Sequence, residues 1–193
     1  MRIERAVNYI ETLGPGKRLC VWVNGCHRRC VGCVSERLQT IDPDTEVEIS
    51  EFFANFRVDK CDGVTISGGE PFDQTEELAR LVRYFRDRNV EDILIYTGYT
   101  IEELQAKKDV YTDEVLSEIA VLIDGPYVQE LDLQKSNIKG SENQRVIFLK
   151  PKYCKTYTDW ICDERSMQEM TLGNTRLAVG IPYAEFITKF IKR

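Results

Sequence analysis

The chain has 193 residues, is 42% hydrophobic and 30% charged, and carries a net charge of −6. These values fit one soluble domain large enough to bury a core. They contain no apolar run that approaches a membrane span, and the acidic balance argues against nonspecific nucleic-acid binding. Met1-Arg2-Ile3-Glu4-Arg5 lacks the apolar stretch and small-residue cleavage site of a signal peptide, so the cytoplasm is the expected compartment. Thiols stay reduced there, and the odd count of seven cysteines reads as metal ligands or catalysts before disulfides.

In chain order, residues 19–24, Leu-Cys-Val-Trp-Val-Asn, predict the first strand, bounded by Gly14-Pro15-Gly16 and Gly25. Ile49 to Arg57 predicts a short helix with Ser50 as N-cap. Asp62-Gly63 turns the chain into the strand Val64-Thr65-Ile66, which runs into the irregular loop Ser67-Gly68-Gly69-Glu70-Pro71. Leu78, Leu81, Val82 and Phe85 stand at helical spacing, with Asp73 and Glu76 as a capping box. Ile93 to Tyr96 is a buried strand, and Thr100 with Glu103 opens another helix. Further strands are Ile119 to Ile123, stopped by Asp124-Gly125-Pro126, then Val146 to Leu149, and Leu177 to Ile181. Tyr183, Phe186, Ile187, Phe190 and Ile191 share one helical face, with packing on the core as its expected role.

Strands alternating with amphipathic helices predict an α/β fold, a partial (β/α)6 TIM-like barrel with parallel strands and a short C-terminal extension. Residues 1–150 would form the main domain, with 151–193 packed on it. Cys26, Cys30 and Cys33 follow the first strand, and thiolates so close in sequence can converge on a soft ion or cluster. Three protein ligands would leave one coordination position open. Ser67 to Pro71, Thr97 to Tyr99 and Asp124-Gly125 follow the next three strands. Loops at the C-terminal ends of parallel strands share one rim, which is where such folds place ligands and catalysis.

Cys26-x3-Cys30-x2-Cys33 followed by Gly68-Gly69-Glu70-Pro71 resembles the radical S-adenosylmethionine enzymes. Over most of residues 14–150 the chain resembles the activating proteins of anaerobic (class III) ribonucleotide reductase. The shared pieces are Gly14 to Arg18, Val31-Gly32, Tyr96 to Tyr99, Asp124 to Tyr127 and Gly140-Ser141-Glu142-Asn143-Gln144-Arg145. After the third cysteine the chain departs from that pattern, reading Val34-Ser35-Glu36-Arg37.

The resemblance implies a 4Fe-4S cluster on Cys26, Cys30 and Cys33, with S-adenosylmethionine chelating the fourth iron. Gly68, Gly69 and Glu70 would line its methionine end, with Ser67, Thr97 and Asp124 as further contacts. The implied chemistry is reductive cleavage of S-adenosylmethionine to a 5′-deoxyadenosyl radical, which takes hydrogen from a glycine of a partner such as the anaerobic reductase. An electron donor such as flavodoxin or ferredoxin would feed the cluster. The alternatives are a radical enzyme acting on a ribosomal peptide or small molecule, and a noncatalytic zinc or iron-sulfur module. Zinc with Cys20 or His27 as fourth ligand leaves the glycine-rich rim loops unexplained. Cys20 and Cys61 read as core, Cys154 and Cys162 are too few for an auxiliary cluster, and Arg28-Arg29 reads as a solvated pair.

Overall fold

The computed structural model describes residues 1–173 and 175–186. Six strands form one sheet in sequence order: β1 (Ile3–Ile10), β2 (Arg18–Val23), β3 (Gly63–Gly68), β4 (Ile93–Tyr96), β5 (Val121–Asp124) and β6 (Arg145–Phe148). The four central strands are parallel, while β1 runs antiparallel to β2 and β6 antiparallel to β5. This corrects the expected all-parallel barrel: the fold is mixed α/β with a largely parallel central sheet. Among the described residues β1 and β6 do not pair to close a ring. Chain connectivity explains the difference. A parallel neighbour needs a crossover element. Residues 11–17 are too few for one, and residues 125–144 contain only the single 3-10 turn Gln129–Leu131.

The central crossovers are helical. α2 (Thr75–Arg86) joins β3 to β4, and α3 (Ile101–Ala106) with α4 (Val110–Glu118) joins β4 to β5. α2 buries Leu78, Leu81, Val82 and Phe85 as its spacing predicts. The capping box of Thr100 and Glu103 is present, each side chain bonding the other's backbone N–H. Two expected caps are not. Gln74 stands at the N-cap of α2, which frees Asp73 for other partners. α1 (Ile49–Phe52) is a single turn capped by the Glu48 carboxylate, with Ser50 inside it.

Strand alternation divides the core in two. Leu19, Val21, Val23, Val64, Ile66, Ile93 and Ile95 face the helices, and each such side chain contributes about 1.5–3 kcal/mol. The opposite face, with Cys20, Leu94, Val121 and Ile123, is covered by Tyr157 of α5 (Cys154–Trp160) and Val179 of β8 (Thr175–Gly180). The predicted strand at Leu177 to Ile181 is therefore β8. It pairs with β7 (Met167–Leu172) in a separate hairpin, not with the main sheet. Ile187, Phe190 and Ile191 of the predicted amphipathic face lie outside the described residues.

Arg18 joins these layers from a fully buried position. Its guanidinium donates to Asp92 (2.9 Å), to the Thr65 hydroxyl (2.7 Å) and to the Val64 carbonyl (2.8 Å), and the Tyr157 hydroxyl donates to the same Asp92 carboxylate (2.7 Å). Removing one partner of a buried ion pair leaves an uncompensated charge. Asp92→Ala is expected to destabilise the fold by about 3–5 kcal/mol in denaturant unfolding. Tyr157→Phe, which leaves Arg18 paired but removes a buried hydrogen bond to the carboxylate, should cost about 1.5–3 kcal/mol.

Candidate metal centre

The loop that leaves β2 is fixed by backbone hydrogen bonds before its first cysteine. The Gly25 N–H donates to Leu38 O (2.8 Å) and the Cys26 N–H to Gln39 O (3.2 Å). From the other side, the Gly69 N–H donates to Val23 O (2.8 Å) and the Glu70 N–H to Gly25 O (2.9 Å). The glycines make this approach possible. Gly68 has φ +113°, a left-handed conformation that side chains oppose, and a Cβ on Gly69 would run into the backbone of Gly25 and Leu38. The glycine pair thus seats the cysteine loop.

Cys26, Cys30 and Cys33 are free, half-buried thiols that line a single cavity of about 180 Å³. Ser67, Gly68, Gly69, Glu70, Thr97, Gly98 and Gly125 line the same cavity, so loops from four successive parallel strands meet there. Burial raises the Cys26 and Cys33 thiols, so a bound metal must displace their protons. Among the described residues no three Cys, His, Asp or Glu side chains close around one ion. Three thiols lining one cavity remain a soft donor set that suits an iron-sulfur cluster, whose ligands attach to separate irons. Two lining residues also carry buried polar atoms without a partner, Arg28 Nε and the Tyr96 hydroxyl. Such orphans fit a cavity that takes a polar ligand.

Glu70 is 1% exposed and spends its carboxylate on the protein. Oε1 accepts from the Thr97 hydroxyl (2.7 Å) and the Phe72 N–H (3.0 Å), and Oε2 from the Gly98 N–H (2.7 Å). Burial pushes this carboxyl up, and the Gly98, Thr97 and Phe72 donors pull it back. The Thr97 oxygen is equally occupied, since it also accepts from the Tyr99 N–H (3.1 Å). Both residues therefore shape the cavity by tying the β3 and β4 loops together.

Asp124 behaves differently. Its carboxylate is buried away from the cavity, accepts from the Ile101 N–H (2.8 Å) at the start of α3, and pairs with Arg145 (2.5 Å). Only the neighbouring Gly125 reaches the rim.

His27 stands at the rim, 58% exposed, with its ring nitrogen 2.7 Å from Asp73, the carboxylate released from the expected capping box. Arg28 is not solvated as predicted: it bonds Glu103 (2.9 Å), and its guanidinium carbon lies 4.2 Å from the Tyr99 ring centroid. Cys20 is core, and Cys154 and Cys162 are exposed.

Gln144 and Arg165 are among the lining residues to which the sequence assigns no role. Gln144 accepts from the Gly140 N–H (2.8 Å) and donates to Gly125 O (3.1 Å), which stitches the polar loop after β5 to the rim. It belonged to a motif already singled out, Gly140 to Arg145, without an assigned role. Arg165 donates to Asp132 (2.7 Å) and Gly140 O (3.0 Å) from the segment before β7. No local signal marks that arginine.

An α/β protein with three cysteines at the rim of parallel strands is the class that this geometry defines. The protein-family model described as a 4Fe-4S single cluster domain matches residues 12–147. The anaerobic ribonucleoside-triphosphate reductase-activating protein of Escherichia coli (strain K12) is 33% identical over 146 residues, covering 71% of this chain and 92% of that protein. The Salmonella typhi protein of the same name is 32% identical over 145 residues with the same coverage, and that of Enterobacteria phage T4 is 31% identical over 142 residues, covering 69% and 85%. The chain belongs to the family of anaerobic ribonucleoside-triphosphate reductase-activating proteins, with a 4Fe-4S cluster domain.

Two substitutions test these packing roles. Gly69→Ala is expected to displace the cysteine loop, so iron and sulfide content after anaerobic reconstitution should fall, and not merely the binding of a second ligand. Glu70→Gln must turn its NH2 toward either the Gly98 or the Phe72 N–H. It should lose about 1–3 kcal/mol of stability while retaining full iron, as read by thermal unfolding and metal analysis.

Proposed function

We propose that this chain is a radical S-adenosylmethionine enzyme that activates a partner, such as an anaerobic ribonucleotide reductase, by installing a glycyl radical. The observation that carries the reading is that Cys26, Cys30 and Cys33 line the same cavity as Ser67, Gly68, Gly69 and Glu70. The printed names of the relatives supply the partner class. Cys26, Cys30 and Cys33 would hold a 4Fe-4S cluster, which would supply the electron for reductive cleavage of S-adenosylmethionine to methionine and a 5′-deoxyadenosyl radical. The chain's own residues bind, orient and shield.

In this reading the backbone of Gly68 and Gly69 and the Ser67 hydroxyl receive the methionine end. Arg28 Nε and the Tyr96 hydroxyl offer the unpaired donors. Glu70 and Thr97 act one step back by holding the Gly98 backbone in place. Asp124 sets the start of α3, and its side chain is not among those that line the cavity. Gln144 and Arg165 close the far wall, so the described part of the extension after residue 150 belongs to the functional unit. The electron would come from a donor of the flavodoxin or ferredoxin kind. Among the described residues no helix is long and apolar enough to cross a membrane.

The test is anaerobic reconstitution with iron and sulfide, reduction by dithionite, and chromatography for 5′-deoxyadenosine after S-adenosylmethionine is added. Product is expected from the wild type and from Cys162→Ala, and none from Cys30→Ala, whose iron content should collapse. Addition of an anaerobic ribonucleotide reductase should then yield a glycyl radical by electron paramagnetic resonance. A fully loaded protein that never yields 5′-deoxyadenosine, with or without the reductase, rejects the radical mechanism.

A further inference from the structure

A second cavity, of about 420 Å³, lies between β1, residues 34–38 after the third cysteine, and the β7–β8 hairpin. It shares Val34, Ser35 and Pro182 with the cysteine cavity, so the two open side by side. The hairpin lies beyond residues 12–147, which the family model matches. This wall is therefore an addition to the matched domain, built against its metal-binding loop.

The chemistry of the cavity is two-sided. Its apolar part includes Leu13, Trp22 and Leu177, and its charged part is Arg5, Arg37 and Arg176 against a single lining carboxylate, Glu169. A chain of net charge −6 thus turns basic at this spot. The internal pairing is incomplete. Glu4 serves both Arg5 (3.3 Å) and Arg37 (3.0 Å), Glu169 serves Arg176 (3.0 Å), and Arg5 Nε is buried without a partner. Arg37 and Arg176 are 64% and 78% exposed, so these pairs hold weakly and can exchange for an incoming carboxylate. A small inorganic anion would gain nothing from the apolar part. A polypeptide segment with an apolar side chain between acidic ones would satisfy both halves.

We propose that this groove docks an acidic, apolar-anchored segment of the protein substrate and so holds the substrate beside the cysteine cavity. The inference rests on the activase reading above and adds where and by what chemistry the partner is held. An anchor at the groove leaves the partner's reactive backbone free to enter the neighbouring cavity.

The test uses the reconstituted full chain and the anaerobic ribonucleotide reductase of the same organism, with binding measured by biolayer interferometry at low and high salt. The double variant R37E/R176E should bind the reductase at least about tenfold more weakly and lose the salt dependence. R37K/R176K, which keeps both charges, should stay within about twofold. Dithionite-driven cleavage of S-adenosylmethionine and iron content should be unchanged in both, since neither arginine lines the cysteine cavity. Reductase binding by R37E/R176E as tight as the wild type would overturn the groove while leaving the activase reading intact. A wild type that cleaves S-adenosylmethionine but does not bind the reductase overturns the activase reading, and this inference with it.

Discussion

The backbone contact between the β2 and β3 loops is the constraint on which the site depends. Two hydrogen bonds, from the Gly69 N–H to Val23 O and from the Glu70 N–H to Gly25 O, hold the loops with no side chain between them. They continue the parallel ladder of β2 and β3 past the strand ends, where Val23 is still in register with Gly68. The cysteine loop is consequently an extension of the sheet, and Cys26 inherits the rigidity of the ladder. From Glu70 the same construction passes to β4 through Thr97 and Gly98. The walls of the cavity are thus joined by protein–protein hydrogen bonds, the kind of positioning that an oriented site requires.

This construction changes the meaning of the glycine-glycine-glutamate motif. Read as sequence, the motif lines a ligand. In the structure each member first meets another loop: Gly68 the backbone of Val23, Gly69 that of Gly25, and Glu70 two N–H groups and a hydroxyl. The loop contacts leave the cavity side open, because a backbone free of side chains can present one edge to its neighbour and the other to the cavity. Its three protein donors take three of a carboxylate's roughly four acceptor sites and leave one on Oε2. Glu70 thus imposes geometry on the loops while it still lines the cavity.

What the sequence made legible was local and periodic. The 3.6-residue spacing in α2, the Thr100 capping box, and the short β-branched runs of β3, β4 and β5 all lie in the structure at or within two residues of their expected places. The rim argument also carried, because it needs only that β2 to β5 be parallel. Irregular or long-range features were opaque. β1 is bulged, with register shifts between Ile3 and Arg5 and between Val7 and Ile10 and a positive φ at Tyr9, so its buried residues lack a clean alternation. The direction of β6 depends on the connection before it and not on its own residues. Asp124 looked like a rim ligand by position, yet its side chain was claimed by Arg145 from the neighbouring strand, a pairing that strand register alone determines.

The part of the chain beyond the matched domain is bound into the architecture at two depths. Tyr157 reaches the buried Asp92, whose other partner is Arg18 at the start of β2. Arg165 grips Asp132 and the carbonyls of Lys139 and Gly140, on the loop whose Gln144 touches Gly125 at the rim. The first contact fixes the extension to the sheet, and the second connects it to the wall of the cysteine cavity. A segment tied at both points cannot shift without disturbing either the parallel strands or the far wall. The extension therefore carries the rim sideways to a second cavity, which shares Val34, Ser35 and Pro182 with that of the cysteines. Anchoring of this kind makes the hairpin a wall of the architecture and not a tail that happens to follow a domain.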